Sequence, residues 1–186
     1  IDRTGGKIGF CGESSTIKAA LASVHNWEEP PISGTKGSGT IFFTGCNLKC
    51  VFCQNYSISS EHSGKEISVE RLSEIMLEQQ ARDVHNINLV TAVHFVPSVI
   101  KAVEKARQNG LTIPIVYNSS GYEKADTIKM LEGTVDIYLP DIKYFSSKLS
   151  AKYSSAPDYF EYASAAVKEM HRQCGNVIFD ENGIMQ

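Results

Sequence analysis

The sequence contains no apolar run near the roughly 20 residues that a membrane-spanning helix needs, and no secretory signal pattern. It also has no strong excess of one charge. Its 18 Lys and Arg stand against 21 Asp and Glu, which gives a formal net charge of −3. We therefore expect no membrane association and no binding to the phosphate backbone of nucleic acids.

Cysteine is scarce and odd in number, with five residues in 186, three of them clustered. Such a set does not suit a disulfide framework, so a reducing cytoplasmic location is expected. The length and a hydrophobic fraction of 42% predict one globular domain. The sequence starts at Ile1 without a methionine and ends at Gln186 without a terminating helix, so we interpret it as part of a longer protein.

Strands and helices are predicted to alternate after residue 39. Segments typical of buried strands begin near residues 40, 88, 112 and 135, and helices are predicted over about 68–82, 97–110, 122–132 and 158–173. Residues 1–39 are rich in Gly and Pro and are predicted to form an irregular N-terminal arm, with residues 40–186 as the core. This alternation indicates right-handed βαβ units and a parallel sheet, either curved into a barrel or open.

The most informative stretch is Thr40 to Tyr56, TIFFTGCNLKCVFCQNY. A strand-like run leads into Gly45, and three cysteines follow at Cys46, Cys50 and Cys53. Cysteines at this spacing on a short loop can turn their sulfurs onto one soft metal centre. Three thiolates leave one iron of a [4Fe–4S] cluster open, whereas a structural zinc site takes four ligands.

The cysteine spacing leaves an alternative open, a non-catalytic zinc or iron–sulfur module for structure, electron transfer or binding. Zinc would need a fourth ligand, for which Cys11 and Cys174 are the candidates. Cys11 is interpreted as an isolated thiol, or else as one ligand of a second cysteine site. Three residues that lie close together in the N-terminal arm are interpreted either as a metal or acid/base cluster or, preferably, as solvated loop residues. They are His25, Glu28 and Glu29.

With CxxxCxΦC and an aromatic residue, Phe52, before the last cysteine, the chain resembles the radical S-adenosylmethionine (SAM) superfamily. Within it, the chain looks closest to the branch related to pyruvate formate-lyase-activating enzymes. The resemblance implies a [4Fe–4S] cluster on the three cysteines, SAM on the open iron, and a 5′-deoxyadenosyl radical that abstracts hydrogen from substrate. It also implies a partial (β/α)6 TIM-like barrel of parallel strands, of which this sequence would contain all but the last two strands. Phe52 is placed where its ring could lie against a planar ligand.

Polar residues follow each of the other three predicted core strands, where ligand groups collect in parallel α/β folds. These ends read Thr91-Ala-Val-His94, Asn118-Ser-Ser-Gly121 and Pro140-Asp-Ile-Lys143. The first stands where the superfamily usually has Gly-Gly-Glu, which holds the SAM amino group. Backbone contacts at Thr91 could serve that purpose, and His94 either replaces the Glu or caps the next helix.

The other two ends resemble the Asp-Thr-Asn-Gly and Leu-Asp-Leu-Lys segments of activating enzymes. By that resemblance Asn118, Ser119 and Asp141 would offer oxygen ligands to a monovalent cation, and Lys143 would face the SAM carboxylate. Alternatively, Asp141 and Lys143 form a solvent-facing pair at the strand end. Asn stands here where activating enzymes have Asp, which removes one negative ligand from the cation site.

The resemblance also implies two kinds of partner. One is a flavodoxin- or ferredoxin-like one-electron donor. The other is a protein or small-molecule substrate, with a glycyl-radical-type protein as one expectation. Activating enzymes for such proteins usually carry a Gly-x-Arg segment before the first strand, and residues 37–41 read GSGTI instead.

Overall fold

The computed structural model of the protein describes residue 3 and residues 5–186. Its centre is a six-stranded sheet in the order β3-β1-β2-β4-β5-β6. The strands are β1 (Lys18–His25), β2 (Ser38–Phe43), β3 (Lys65–Glu66), β4 (Ile87–Val90), β5 (Ile115–Ser119) and β6 (Ile137–Pro140). Strands β2, β4, β5 and β6 pair in parallel, and β1 is antiparallel to both β2 and β3. The predicted α/β class with a mostly parallel sheet is confirmed, while closure into a barrel stays a prediction.

Seven α-helices occur in the described part of the chain. They are α1 (Pro30–Ser33), α2 (Tyr56–Ser59), α3 (Val69–Gln80), α4 (Val96–Gln108), α5 (Ala125–Lys129), α6 (Ser147–Ser154) and α7 (Tyr159–Cys174). The predictions for α3, α4 and α7 are confirmed. Helix α5 is shorter than the predicted 122–132, because residues 122–124 belong to a loop that buries Glu123. The sequence pattern does not indicate helix α6. No described helix is long and apolar enough to cross a membrane.

Local sequence explains where the longer helices begin and which face they bury. The Ser68 side chain accepts a hydrogen bond from the Arg71 amide and caps α3, whose buried face includes Leu72 and Met76. Pro97 lies in the first turn of α4, where its missing N–H costs nothing. Both helices cover the sheet, and their apolar side chains join one large core with strand residues such as Leu89.

The sheet has two chemically different faces. In β2, β4 and β5, odd-numbered residues such as Ile41, Leu89 and Tyr117 pack in the core under the helices. The opposite face carries even-numbered residues in a matched row, Phe42, Val90 and Asn118, which the register places side by side. We call this second side the cavity face, because this row lines the cavity described below.

The prediction that residues 1–39 are irregular is wrong for part of that segment. Strand β1 pairs with β2 along most of its length, and α1 follows it. The strand sequence KAALASVH contains three Ala, a residue with little preference for strands, so its pattern does not reveal the strand. The division of the chain into an arm (1–39) and a core (40–186) stays a prediction.

Candidate functional site

A cavity of about 420 Å³ lies at the carboxyl ends of the parallel strands. This volume is in the range of small-molecule sites. All four parallel strands contribute, through the loop after β2 and the ends of β4, β5 and β6. The lining includes Cys46, Cys50, Phe52, Cys53, Thr91, Asn118, Ser119, Asp141 and Lys143. Nine of the ten predicted site residues therefore surround one cavity, which we call the cysteine cavity.

Each of the three sulfurs of the cysteine loop has a hydrogen-bonding group beside it. The Leu48 amide donates to Cys46 Sγ at 3.4 Å, and Ser154 Oγ donates to Cys50 Sγ at 2.9 Å. Cys53 Sγ lies 3.3 Å from the Ser59 hydroxyl. Hydrogen bonds to sulfur stabilise thiolates, so the loop is suited to hold a metal group.

The end of α6 fixes the cysteine loop from one side. The Lys49 amide donates to the Ser154 carbonyl at 3.1 Å, and the Val51 amide donates to the Tyr153 carbonyl at 2.9 Å. Ser154 is fully buried. These backbone contacts hold Cys50 between two anchored residues, which reduces the freedom of the loop before any ligand binds.

The N-terminal segment fixes the other side of the loop. Gly45 has a φ of +77°, and a Cβ there would lie 2.6 Å from Glu13 Cγ and 2.7 Å from the Cys11 carbonyl oxygen. Only glycine fits this close approach without strain. The buried Glu13 carboxylate accepts hydrogen bonds from Thr44 Oγ1 at 2.8 Å and from His62 Nδ1 at 2.9 Å.

The thiols influence one another electrostatically. Burial raises the pKa of Cys46, the Leu48 amide lowers it, and neighbouring Cys50 and Cys53 raise it further. A thiol with a raised pKa stays protonated near neutrality, and a bound cation favours its loss of the proton. The neighbour effect also indicates that the three sulfurs share one region of the cavity.

His94 is the predicted site residue that the structure does not bring to the cavity. It is buried, and its Nε2 lies 2.6 Å from the Thr44 carbonyl oxygen, which makes Nε2 the protonated nitrogen. Burial lowers the pKa of His94 to about 4, so the ring is neutral under physiological conditions. Its observed contact is with the strand end that precedes the cysteine loop. Thr91 does line the cavity.

The ends of β5 and β6 are tied together by one buried tyrosine. Tyr159 Oη donates to the Ser120 carbonyl at 2.6 Å, lies 3.0 Å from the Asp141 carbonyl, and accepts from the Lys143 amide at 2.9 Å. The Asp141 amide donates to the Ser119 carbonyl at 2.9 Å. These contacts set the spacing between the two strand-end turns that line the cavity.

Polar side chains at these turns differ in exposure. Ser119 is buried, and its Oγ accepts from the Gly121 amide at 3.1 Å. Asp141 and Lys143 form an ion pair with each other, and the Asp141 side chain is 62% exposed. The predicted alternative of a solvent-facing pair therefore agrees with the Asp141 side chain, although both residues also line the cavity.

The sequence reasoning does not identify three residues near the site: Glu123, Ser154 and Tyr159. Glu28, for which the sequence favours a solvated loop position over a metal or acid/base cluster, accepts hydrogen bonds from Asn88 and Asn118. Ser154 and Tyr159 lie about a hundred residues beyond the cysteines, so only the fold reveals their contacts. Glu123 lies in a short segment between a strand and a helix, where a charged residue normally faces solvent, so the sequence does not indicate that it is buried.

Neither predicted fourth zinc ligand is found among the described residues that line the cysteine cavity. Cys174 lines a separate cavity of about 240 Å³ beside β6. Cys11 is buried, and its thiol donates to the Glu13 carbonyl at 3.8 Å. Over residue 3 and residues 5–186, no three His, Cys, Asp or Glu side chains are grouped to hold one metal ion.

Comparison with known proteins assigns the family. The profile described as the Radical SAM superfamily matches residues 40–180, and on this match the chain belongs to that superfamily. The chain is also 33% identical over 129 residues to the "Uncharacterized protein MJ0674" of Methanocaldococcus jannaschii. That alignment covers 67% of this chain and 38% of the relative, so the chain spans well under two thirds of the relative's length.

Membership implies, in general, an enzyme that uses SAM and an iron–sulfur cluster. The residues present fit a cluster better than a single ion, because each thiolate binds a different iron of a cluster, whereas one ion needs all its ligands around one point. Three thiols with hydrogen bonds at their sulfurs line the cysteine cavity together with polar groups of the strand ends. Three thiolates leave one iron of a [4Fe–4S] cluster without a protein ligand and open to a small molecule.

Proposed function

We propose that this protein is a radical SAM enzyme of the pyruvate formate-lyase-activating enzyme-like branch, with its core in residues 40–186. The observation that carries the proposal is the single cavity between the three-cysteine loop and three polar strand ends. The match of residues 40–180 to the Radical SAM superfamily supports the proposal. The partial (β/α)6 barrel belongs to the same proposal.

Cys46, Cys50 and Cys53 would hold the [4Fe–4S] cluster as thiolates. When bound, the cluster supplies the electron that cleaves SAM, and the resulting 5′-deoxyadenosyl radical abstracts a hydrogen atom from the substrate. The protein's own contribution is to place the sulfurs and to donate hydrogen bonds to them from Leu48 and Ser154. Such bonds influence the reduction potential of a cluster.

SAM would occupy the cavity between the cysteine loop and the strand ends. Phe52 lies on the loop itself, is 55% exposed and lines the cavity, so its ring is available to lie against the adenine. Backbone groups near Thr91 would contact the SAM amino group. Lys143 would attract the SAM carboxylate, for which its present partner Asp141 would have to be displaced or shared.

A monovalent cation beside SAM is supported by the oxygen atoms of the strand-end turns. Asn118, Ser119 and Asp141 all line the cavity and offer amide, hydroxyl and carboxylate oxygens. Electrons would come from a flavodoxin- or ferredoxin-like donor in the cytoplasm. The substrate would be a protein or a small molecule. The GSGTI sequence at 37–41 departs from activating enzymes of glycyl-radical proteins, which argues for another substrate class.

The cluster assignment is tested by cysteine variants after anaerobic reconstitution with iron and sulfide. We expect Cys46→Ala, Cys50→Ala and Cys53→Ala each to lose the cluster absorption and the electron paramagnetic resonance signal of the reduced protein. Cys174→Ala is the matched control, because Cys174 is exposed and lies in the other cavity. Full iron content in the Cys50→Ala protein, or one zinc and no iron in the wild type, would overturn the proposal.

A further inference from the structure

Glu28 places a carboxylate on the cavity face of the sheet. Its Oε2 accepts a hydrogen bond from Asn88 Nδ2 at 3.0 Å and another from Asn118 Nδ2 at 3.3 Å. Asn88 is two residues before Val90 on β4, and Val90 is the register partner of Asn118 on β5. The Glu28 carboxylate therefore connects Asn118, in the row of residues that lines the cysteine cavity, with Asn88, which lies two residues earlier along the sheet.

The contact decides how the Asn118 amide is oriented. A carboxylate accepts and does not donate, so the NH₂ end of Asn118 must face Glu28. Among the described residues, Asn118 Oδ1 has no hydrogen-bond partner, and Asn118 lines the cysteine cavity. The amide thus offers an oxygen acceptor to whatever occupies the cavity.

Glu28 itself is held firmly enough to act in this way. Its backbone amide donates to Ser33 Oγ at 2.8 Å, and Ser33 is buried in α1. Asn88 is fully buried, and its Oδ1 has no partner among the described residues, so Glu28 is the group that orients that amide as well. A charged acceptor with two amide donors forms stronger hydrogen bonds than a neutral one.

We propose that Glu28 is a positioning residue for the SAM side of the cavity. It fixes Asn118 so that Oδ1 faces a ligand group that donates a hydrogen bond or carries positive charge. The carboxylate also adds negative charge directly behind that oxygen, which favours a cationic group, either an ammonium or a monovalent metal cation. The proposal rests on the proposed function, since SAM and its accompanying cation are the ligands concerned.

The first test measures the hydrogen bond itself and needs no cofactor. In ¹H–¹⁵N spectra of the protein, the Asn118 side-chain amide, assigned with Asn118→Ala, should shift strongly in Glu28→Ala. It should not shift in Glu29→Ala, because the Glu29 side chain is exposed and has no hydrogen bond among the described residues. If the Asn118 side-chain amide does not shift in Glu28→Ala, the inference is wrong, whether or not the protein binds SAM.

The second test measures SAM binding by equilibrium dialysis on the reconstituted protein. We expect Glu28→Ala to raise the Kd for SAM about tenfold, as supporting residues behind a ligand typically do, and Glu29→Ala to leave it unchanged. If Glu28→Ala shifts the Asn118 side-chain amide but leaves the Kd for SAM unchanged, Glu28 has only a structural role. If the wild type forms a cluster and binds no SAM while the amide still shifts, the proposed function itself fails.

A reversed pair separates positioning from simple loss of packing. Asn118→Asp alone sets two carboxylates against each other and should weaken SAM binding more than Glu28→Ala does. In the double variant Glu28→Gln/Asn118→Asp, the new amide can donate to the new carboxylate, and affinity should return to within about threefold of wild type. A double variant as weak as Asn118→Asp alone would contradict the positioning role. Repeating the titration with Na⁺ and K⁺ distinguishes the cation from the ammonium group as the ligand at Oδ1.

Discussion

Removal of one oxygen atom from Tyr159 should loosen two turns of the candidate site at once. Tyr159 is fully buried, and its hydroxyl contacts the Ser120 and Asp141 carbonyls and the Lys143 amide. Tyr159→Phe keeps the ring, which packs against Tyr122 and Tyr144. The variant therefore removes hydrogen bonds without opening a large space.

The magnitude follows from the groups left without partners. Each buried polar group that loses its hydrogen bond costs about 1–3 kcal/mol, and the single hydroxyl proton is shared between two carbonyls. We expect Tyr159→Phe to lower the free energy of unfolding by about 2–3 kcal/mol. For a chain of this length that corresponds to a fall in Tm of about 4–12 °C. Urea unfolding followed by circular dichroism measures it.

Tyr162→Phe is the matched control on the same helix. Its ring meets Tyr122 edge-on, but its hydroxyl has no hydrogen-bond partner among the described residues. We expect a change below about 0.5 kcal/mol. Because Tyr159 sets the spacing of the turns, its variant should also bind SAM more weakly. Equal destabilisation by the two variants would refute the account of the hydroxyl as a link between turns.

Three further predictions concern single side chains. Burial raises the pKa of Glu123 to about 7, above its unfolded value of 4.5, so the free energy of unfolding of the wild type falls as pH rises between these values. Measured by urea unfolding, the free energy of unfolding of Glu123→Gln should therefore rise relative to that of the wild type by roughly 2 kcal/mol between pH 5 and pH 8. A difference that stays constant with pH would contradict this. Burial lowers the pKa of His94 to about 4, so the folded protein favours the neutral ring, and the free energy of unfolding should decrease as the pH is lowered from 6.5 to 4. A nuclear magnetic resonance titration of the His94 ring with its midpoint near pH 6.5 would contradict this. Ser154→Ala removes the donor to Cys50 and should change the cluster's reduction potential in a redox titration. The control Ser164→Ala, which removes only a hydrogen bond to the Glu161 carbonyl within α7, should not change it, and equal potentials for the two variants would contradict this.

The parallel sheet and the general place of the site could be predicted from the sequence because their signals are local. Apolar runs near Ile41, Leu89 and Val116 mark strands, and the intervening helices carry clear caps and apolar faces. Polar residues directly after buried strands must meet at one edge of a parallel sheet. For that reason the sequence predicts that the cysteine loop, Asn118 and Asp141 lie close together, and the structure places them around one cavity.

The supporting contacts could not be predicted because they join residues far apart in the chain. Glu28 reaches Asn118 across 90 positions, and Ser154 reaches Cys50 across 104. Strand β1 has a composition that favours no element, and its pairing with β2 decides its conformation. His94 follows a strand as the other site residues do, but a turn at Val93–Phe95 directs it to the Thr44 carbonyl.

The central claim is that the cysteine cavity performs reductive cleavage of SAM. It is tested by incubating the reconstituted, anaerobic full-length protein with SAM and a strong one-electron reductant, followed by chromatography for 5′-deoxyadenosine. The account predicts 5′-deoxyadenosine from the wild type and from Cys174→Ala, and none from Cys50→Ala. A wild-type protein that holds its cluster, binds SAM and releases no 5′-deoxyadenosine would contradict it.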